Sequence, residues 1–336
     1  MAIIIGCSGW SFDDWVGRFY PIDLAQRRGE WLRYYAGYFK TVEINSTFYR
    51  PPNEFIVNSW IKKASDFEEF EFSVKMPQII THDSLVNDRA EAAASQASSF
   101  ERICVDPLAK AGMLGSVLVQ LSPHFKNEGS SIDSLASLLR MVSCDKFRYA
   151  VEFRHRSWLD ESRKEVVGEA LDVLRTCNAA AVTVDGPGFP STKRPTADHS
   201  YVRFHGRNYD IWYTDEKEDD YRINRYDYLY SEEQLRPWVG RLRSIEGEVS
   251  KVRVYFNNHG RAKAAKNAFQ MMDMLSIPHK AKEIHLQDQM TLGSFSPSVA
   301  ETDIVRQNAN LQISKSSTRG TTINRRTTVS KDEDSV

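Results

Sequence analysis

TVEIN at residues 41–45 alternates apolar and polar side chains, and this alternation decides the fold. Side chains two residues apart in a β-strand share one face of the sheet. In a barrel with outer helices, one face of each strand packs against the helices and the other points into the barrel. We therefore expect Val42 and Ile44 to face the helices, and Glu43 and Asn45 to point inward.

The same alternation recurs in five further segments and predicts more polar side chains inside the barrel. The predicted inner residues are Ser73, Lys75, Glu152, Arg154, Thr183, Asp185, Arg203, His205, Arg253, Tyr255 and Asn257. A barrel interior that serves only stability is filled with branched apolar side chains. Burying a charge costs on the order of several kcal/mol, so the pattern favours a functional site. A salt-bridge network that only fixes strand register is the alternative.

Eight strand-length apolar runs alternate with segments of helical patterning. The predicted strands are Ile3 to Gly6, Thr41 to Asn45, Glu71 to Lys75, Ser116 to Gln120, Tyr149 to Phe153, Ala180 to Asp185, Ser200 to His205 and Val252 to Asn257. The predicted helices are Trp31 to Tyr38, Asn53 to Ala64, Glu91 to Ile103, Ile132 to Met141, Glu161 to Cys177, Glu232 to Ile245 and Ala262 to Leu275. This order predicts an α/β fold, a single (β/α)8 TIM-type barrel.

Two segments depart from this alternation. Residues 186–199 contain three prolines and predict an irregular loop where the sixth helix would stand. After about Gln287 the apolar periodicity ends, and ten of the 26 residues from Leu311 to Val336 are Ser or Thr. We therefore expect a barrel domain over residues 1–286 and a disordered tail over residues 287–336.

Composition excludes several classes of protein. The net charge of −1 provides no global attraction to nucleic acid or an anionic membrane. No apolar stretch approaches the roughly 18 residues of a membrane span, and the first residues, MAIIIGCSGW, lack the pattern of a signal peptide. The four cysteines lie far apart and form no CxxC. We expect a cytoplasmic protein with reduced cysteines and no membrane contact.

The inward charges suggest two kinds of chemistry. Four residues are predicted acid/base catalysts or metal ligands: Glu43, Glu152, Asp185 and His205. A divalent metal on these oxygen and imidazole ligands is one alternative, although no paired-ligand spacing such as HExxH supports it. Lys75, Arg154 and Arg203 would bind a phosphate or carboxylate. Because Lys75 is expected beside carboxylates, it should stay an ammonium, which disfavours a Schiff base.

Aromatic and basic residues mix in the loops after the first, second and fifth strands, a combination that suits single-stranded nucleic acid or extruded bases, sugars and apolar ligands. The predicted substrate-binding set is Trp10, Asn45, Tyr49, Lys75, His82, Arg154, His155, Trp158, Arg203, Asn257 and Asn258.

Seven ordered blocks carry a resemblance to a known family. They are GCSGWSFDDWVGRFYP, YYAGYFKTVEINSTFYRPP, FSVKMPQIITHD, VLVQLSPHF, YAVEFRHRSWL, YVRFHGR and VYFNNHGRAKAAKNA. Together they resemble the YecE-like family, domain of unknown function 72, from about Ile3 to Leu275. The resemblance implies a β/α barrel and no assigned activity. Two departures from the family pattern are Cys7, where Thr is typical, and a longer, more acidic segment from Asn208 to Arg225, which could cover part of the mouth.

Three functions stay open at the level of sequence. The first is a hydrolase-like enzyme acting on a phosphate-containing substrate, with nucleic acid as one such substrate. The second is a non-catalytic barrel that binds nucleic acid or a small anionic ligand. The third, by analogy of fold alone, is a metal-dependent sugar isomerase or lyase that uses Glu43 and Asp185.

Overall fold

The alternating strands and helices form a parallel barrel in the computed structural model. The structure describes residues 2–162, 165–188, 190–192, 194–212 and 225–286. The strands are β1 (Ile3–Ser8), β2 (Thr41–Ile44), β3 (Glu71–Lys75), β4 (Leu114–Gln120), β5 (Tyr149–Glu152), β6 (Ala180–Ala181), β7 (Thr183–Asp185), β8 (His199–Phe204) and β9 (Lys251–Phe256).

The helices lie between these strands. They are α1 (Trp31–Ala36), α2 (Ser46–Tyr49), α3 (Glu54–Ala64), α4 (Ala90–Phe100), α5 (Asp106–Lys110), α6 (Ser131–Met141), α7 (Gly168–Thr176), α8 (Tyr209–Trp212), α9 (Glu232–Glu246) and α10 (Lys263–Met274). Two π-helical turns, Ile79–Ser84 and Glu101–Val105, flank α4. None of the described helices is long and apolar enough to cross a membrane.

The strands pair in the order β6-β5-β4-β3-β2-β1-β9-β8-β7, and every pairing is parallel. The two outermost strands of this order, β6 and β7, are separated in sequence by Val182 alone. One segment of chain therefore pairs with β5 at its start and with β8 at its end, which closes the sheet into the predicted (β/α)8 barrel.

Two layers fill the barrel below its carboxyl-terminal end. At the amino ends of the strands, Arg253 donates from Nε to Glu71 Oε1 at 2.5 Å, and both side chains are buried. Above this pair, Tyr255 OH hydrogen bonds with Thr41 Oγ1 at 2.7 Å and Ser73 Oγ at 2.8 Å. The main apolar core lies outside, between the sheet and the helices.

The sixth predicted strand differs from expectation in its facing. Ala180, Val182 and Val184 belong to an apolar cluster with Tyr201 and Tyr255 inside the barrel. Thr183 and Asp185 therefore face outward, so the prediction that these two point inward is wrong. The cause is the polar loop at residues 186–198, which lies outside this strand in the place where the other strands have an apolar helix.

One predicted helix is also shorter than expected. Instead of Glu161 to Cys177, α7 begins at Gly168, because the chain first folds back through an antiparallel bridge between Leu159 and Val166. The predicted loop at residues 186–199 is confirmed up to residue 198, since no helix lies among its described residues, and His199 already begins β8. The predicted tail, residues 287–336, lies outside the described residues, and the boundary near residue 286 stays a prediction.

Candidate functional site

A single arginine joins two carboxylates near the carboxyl ends of the strands. Arg203, on β8, donates from Nη2 to Glu43 Oε1 at 2.8 Å and from Nη1 to Glu152 Oε2 at 2.5 Å. Tyr201 OH donates to the other oxygen of Glu43 at 2.7 Å. The three charged side chains are at most 1% exposed. Their mutual pairing replaces the hydration that each charge loses.

A second arginine extends this network. Arg154, which follows β5, forms an ion pair through Nε with Glu152 Oε1 and donates from Nη2 to Gln120 Oε1 at 2.8 Å. The same Gln120 oxygen accepts from Arg203 Nη1 at 3.2 Å. Gln120 and Glu152 thus hold the two guanidinium groups side by side, although their charges repel.

The network is charge-balanced. Burial alone would raise the pKa of both carboxyls, but Arg203 and a hydrogen bond from Tyr201 lower the pKa of Glu43. Arg154 and Arg203 likewise hold the pKa of Glu152 well below its usual range against burial. Two carboxylates therefore face two guanidinium groups at neutral pH. Any other charged group in this region finds no unpaired opposite charge within the network.

His205 completes the network as a neutral group. Its Nε2 lies 3.3 Å from Glu152 Oε1, and Asn257 Nδ2 lies 3.0 Å from its Nδ1. Because the amide donates to Nδ1, the ring proton sits on Nε2 and points to the carboxylate. Burial and Arg203 lower the pKa of His205 to about 4. The imidazole is therefore uncharged at neutral pH.

Above this network lies a pocket of about 930 Å³, within the size range of small-molecule sites. Its lining is Ser8, Gly9, Trp10, Ser11, Phe12, Ile44, Asn45, Ser46, Phe48, Tyr49, Lys75, Gln78, His82, Gln120, Ser122, Pro123, His124, Arg154, Arg203, Arg225, Tyr226, Asn257 and His259. Among the described residues, no Asp or Glu belongs to this lining. Glu43 and Glu152 lie beneath it, on the far side of the guanidinium groups.

The expectation that Lys75 lies beside carboxylates is wrong. Its Nζ lies 3.8 Å from the ring centroid of Phe48, and no ion pair joins it to a carboxylate within the described part of the chain. Glu43 and Glu152 are turned to the arginines instead. Burial, followed by repulsion from Arg203 and Arg154, lowers the pKa of Lys75 well below its usual range. Burial therefore favours the uncharged amine more than it does in an exposed lysine.

Asp185 is not part of the pocket. It accepts two hydrogen bonds from Arg207, at 2.8 and 2.6 Å, one from Tyr230 at 2.8 Å and one from Trp238 Nε1 at 2.9 Å. Burial would raise the pKa of Asp185, but hydrogen bonds from Arg207 and Tyr230 lower it. These partners fix β7 to α9, so the structure separates Asp185 from the other three predicted catalysts.

Three predicted ligand contacts also lie away from the lining. Trp158 is fully buried, stacks on Phe125 and donates from Nε1 to the Phe125 carbonyl at 2.8 Å. Asn258 donates to the Tyr228 carbonyl and is buried behind the barrel wall. His155 Nδ1 is bound to its own turn, 2.8 Å from Ser157 Oγ. In a loop that follows a strand, a side chain can point toward the pocket or away from it. Strand alternation therefore could not predict the positions of these three side chains.

The structure also adds lining residues that the predicted set omits. They are Ser8, Gly9, Ser11, Phe12, Ile44, Ser46, Phe48, Gln78, Gln120, Ser122, Pro123, His124, Arg225, Tyr226 and His259. Gln120 and His124 carried a usable signal, because they end or closely follow β4 and so lie at the same barrel end as Lys75. Arg225 ends the acidic segment that the sequence placed near the mouth, whereas Tyr226, the next residue, carried no signal of its own. Most of that segment, residues 213–224, is outside the described residues.

The predicted metal ligands do not gather into a site. No group of three or more His, Cys, Asp or Glu side chains suited to a metal ion occurs in the described ranges. Glu43 and Glu152 bind opposite arms of Arg203, and Asp185 points out of the barrel. The residues that a metal-dependent isomerase would use as ligands are therefore not brought together in the described part of the chain.

Fold and pocket define a parallel β/α-barrel protein with an arginine-lined pocket at the carboxyl ends of its strands. The chain belongs to the family described as protein of unknown function DUF72, whose model matches residues 4–291. This confirms the resemblance seen in the sequence, since YecE-like is another name for that family.

Relatives share this architecture along most of their length. UPF0759 protein YunF of Bacillus subtilis (strain 168) is 27% identical over 283 residues, which are 82% of this chain and 96% of that protein. A DUF72 family protein from Thermotoga maritima MSB8 is 32% identical, with a TM-score of 0.69 over 82% of this chain and 100% of its own. Another, from Enterococcus faecalis V583, is 23% identical, with a TM-score of 0.67 over 86% of this chain and 100% of its own.

Proposed function

We propose that this chain is an enzyme that binds a phosphate-containing substrate in the pocket at the carboxyl ends of the strands. The observation that carries the proposal is the charge of the lining. Arg154, Arg203 and Arg225 line it, and no carboxylate does so among the described residues. A cavity that presents donors of one sign favours an anion, because the field inside a low-dielectric cleft is focused.

The buried carboxylates serve this arrangement from below. Glu43 and Glu152 cancel the self-repulsion of Arg203 and Arg154 without entering the lining. The guanidinium groups are thereby held in place before any ligand arrives, and such preorganised donors stabilise developing negative charge most effectively. In this proposal Glu43 and Glu152 are positioning residues, not groups that touch the substrate.

Neutral imidazoles on the lining supply acid/base groups for hydrolysis. Burial, with Lys75 and Arg154 nearby, lowers the pKa of His82 to about 4, and burial lowers that of His259 to about 4. Both are unprotonated at neutral pH, and a pKa of about 4 makes each a weak base, since a general base works best with a pKa near the working pH. The proposal assigns hydrolase-like chemistry to these groups.

Binding of inorganic pyrophosphate and of adenosine monophosphate, followed by titration calorimetry, tests the anion site. We expect saturable binding that weakens as salt is raised, because screening reduces attraction between charges. Arg154→Gln should weaken binding at least tenfold. Arg225→Gln, another substitution in the lining, should weaken it less.

The matched control is Arg140→Gln, an exposed arginine of α6 that should leave binding unchanged. Absence of saturable binding by both probes in the parent chain would contradict the anion site. Turnover is tested separately: loss of phosphoesters at substrate excess over protein, followed by phosphorus NMR, distinguishes an enzyme from a binding barrel. Binding without any turnover across phosphoesters would favour the non-catalytic alternative.

A nucleic-acid ligand is the second candidate, and the rings beside the cations favour it. Trp10, Phe12, Tyr49 and Tyr226 line the same pocket. Aromatic planes next to cations stack bases and hold phosphates. Fluorescence anisotropy with a single-stranded oligonucleotide tests this candidate. An affinity no greater than that of the mononucleotide would limit the substrate to small phosphates.

A further inference from the structure

The proposed anion site does not account for the environment of the Lys75 side chain. It ends β3, is only 7% exposed and lines the pocket. Its ammonium or amine nitrogen lies over the Phe48 ring rather than against a carboxylate. Thr47 Oγ1 donates to the Lys75 carbonyl at 2.6 Å. The backbone of Lys75 is therefore held in place, and its side chain lies on the wall of a ligand-sized cavity.

The charges that face this nitrogen come from the ends of three strands, β2, β5 and β8. Arg203 and Arg154 repel an ammonium, while Glu152 and Glu43 attract it. The carboxylates are already neutralised by the two arginines, so burial and repulsion prevail. His82, from the π-helical turn at 79–84, also faces Lys75 and is neutral. Desolvation beside other cations is a recognised way to make a lysine amine nucleophilic at neutral pH.

We propose that Lys75 is a nucleophilic amine that forms an imine with the aldehyde or ketone group of an anionic substrate held in this pocket. The inference deepens the proposed function and rests on it, because the anion-binding arginines would bring the carbonyl group to Lys75. It narrows the substrate class to compounds that carry both a carbonyl and a phosphate or carboxylate.

Imine formation needs no reactant other than the Lys75 amine and the carbonyl group. The lone pair of Lys75 Nζ attacks the carbonyl carbon, and the carbonyl oxygen takes up a proton to give a carbinolamine. The C–O bond then breaks and a C=N bond forms. Both hydrogens of the amine leave with the oxygen as water, and nothing is oxidised or reduced. His82 packs against the same Phe48 ring as Lys75, with the centroids of the His82 and Phe48 rings 4.8 Å apart. In this proposal His82 carries the proton between nitrogen and oxygen.

Pyridoxal phosphate is a suitable probe, because it combines an aldehyde, a phosphate and an aromatic ring. The protein is incubated with limiting probe, reduced with borohydride, digested and mapped by mass spectrometry. We expect the reduced adduct at Lys75 ahead of the surface lysines Lys62 and Lys63 of α3. Pyridoxal, which lacks the phosphate, should label Lys75 at least tenfold more slowly.

Two variants give the matched comparison. Lys75→Met should abolish the pocket adduct, whereas Lys62→Met should leave its rate unchanged. Removing a buried amine that has no ion-pair partner among the described residues should not unfold the barrel, and thermal unfolding of Lys75→Met checks this point. The rate of labelling should rise with pH around a midpoint well below the ordinary lysine pKa of 10.5.

Three outcomes distinguish imine formation at Lys75 from anion binding in the same pocket. If pyridoxal phosphate binds and pyrophosphate displaces it, but reduction leaves Lys75 unlabelled, the imine is excluded and the anion site stands. If Lys75 is labelled no faster than Lys62 and Lys63, the special reactivity is also excluded. If no anionic probe binds at all, both proposals are wrong.

Discussion

Arg203 shows how one buried residue can organise a site. Its guanidinium binds Glu43 and Glu152 at once, and Gln120 connects it to Arg154. Replacing such a network by apolar side chains is often neutral or stabilising, so stability alone does not explain it. Its geometric effect is more specific: two like charges are held side by side, facing the pocket.

His205 leads to a prediction about pH at the same scale. Its pKa is about 4 in the folded chain and 6.5 in the reference state, so below pH 6.5 the unfolded chain binds a proton that the folded chain does not. Stability should therefore fall as the pH drops from 6.5 to 4. The contribution of one such group is on the order of 2–3 kcal/mol.

Urea unfolding at several pH values measures this effect. His205→Gln should show a smaller loss of stability between pH 7 and pH 4 than the parent chain. His285→Gln, which changes an exposed histidine, should keep the parent slope. Parallel pH profiles for His205→Gln and the parent would contradict a neutral His205.

At the scale of elements, the sixth strand position explains the one error in facing. The loop that replaces a helix there is polar: Thr196 Oγ1 accepts from Ala181 N at 2.7 Å, and Ser191 Oγ accepts from Val184 N at 3.1 Å. Outward side chains of this strand therefore meet hydrogen-bonding groups, and its valines turn inward. An apolar residue marks the helix side of a strand only where a helix is present.

Close approach of two strands gives a second prediction. A Cβ added to Gly6 in β1 would lie 2.1 Å from the Thr41 carbonyl oxygen, a backbone atom that cannot move without shifting β2. Gly6→Ala should therefore lower the free energy of unfolding by about 3 kcal/mol. Because β2 carries Glu43, anion binding should weaken as well.

Gly240→Ala is the matched control. Gly240 is exposed in α9 and has nothing within 4 Å of an added Cβ. Alanine there should raise stability by about 0.5–1 kcal/mol, because it restricts the unfolded chain and favours the helix. Denaturant unfolding compares the two variants. Equal effects of both substitutions would contradict the tight β1–β2 contact.

At the scale of the whole molecule, the net charge of −1 conceals a local separation of charge. The carboxylates of the network lie under the lining, and the cations form it. The net charge of the whole chain argues against binding polyanions, whereas the lining of the described pocket suits a small anion. The distribution of charge in space decides this question, and composition does not contain it.

The Ser/Thr-rich segment after the barrel provides a prediction at this scale. The family match ends at residue 291, and the later sequence has no apolar periodicity to bury. A chain that ends at Thr291 should therefore unfold at the same temperature as the full chain, within about 1 °C by the usual relation of stability to melting temperature. It should also bind pyrophosphate with unchanged affinity.

Calorimetric unfolding and titration of the two chains side by side make the comparison. A chain ending at Gly247, which removes β9 and α10, serves as the control that should not fold. A clear drop in melting temperature for the chain ending at Thr291 would show that the tail stabilises the barrel.

Alternation of side chains along single strands was sufficient to determine the barrel, its polar carboxyl-terminal end, and the inward position of Glu43, Lys75, Glu152 and Arg203. Those features depend on the period of two, which is a local property. Pairing between these groups is not local: Arg203 lies 160 residues from Glu43 and 51 from Glu152. Only the closed barrel decided that both carboxylates bind Arg203 and that neither pairs with Lys75, because distance in space determines which charges pair.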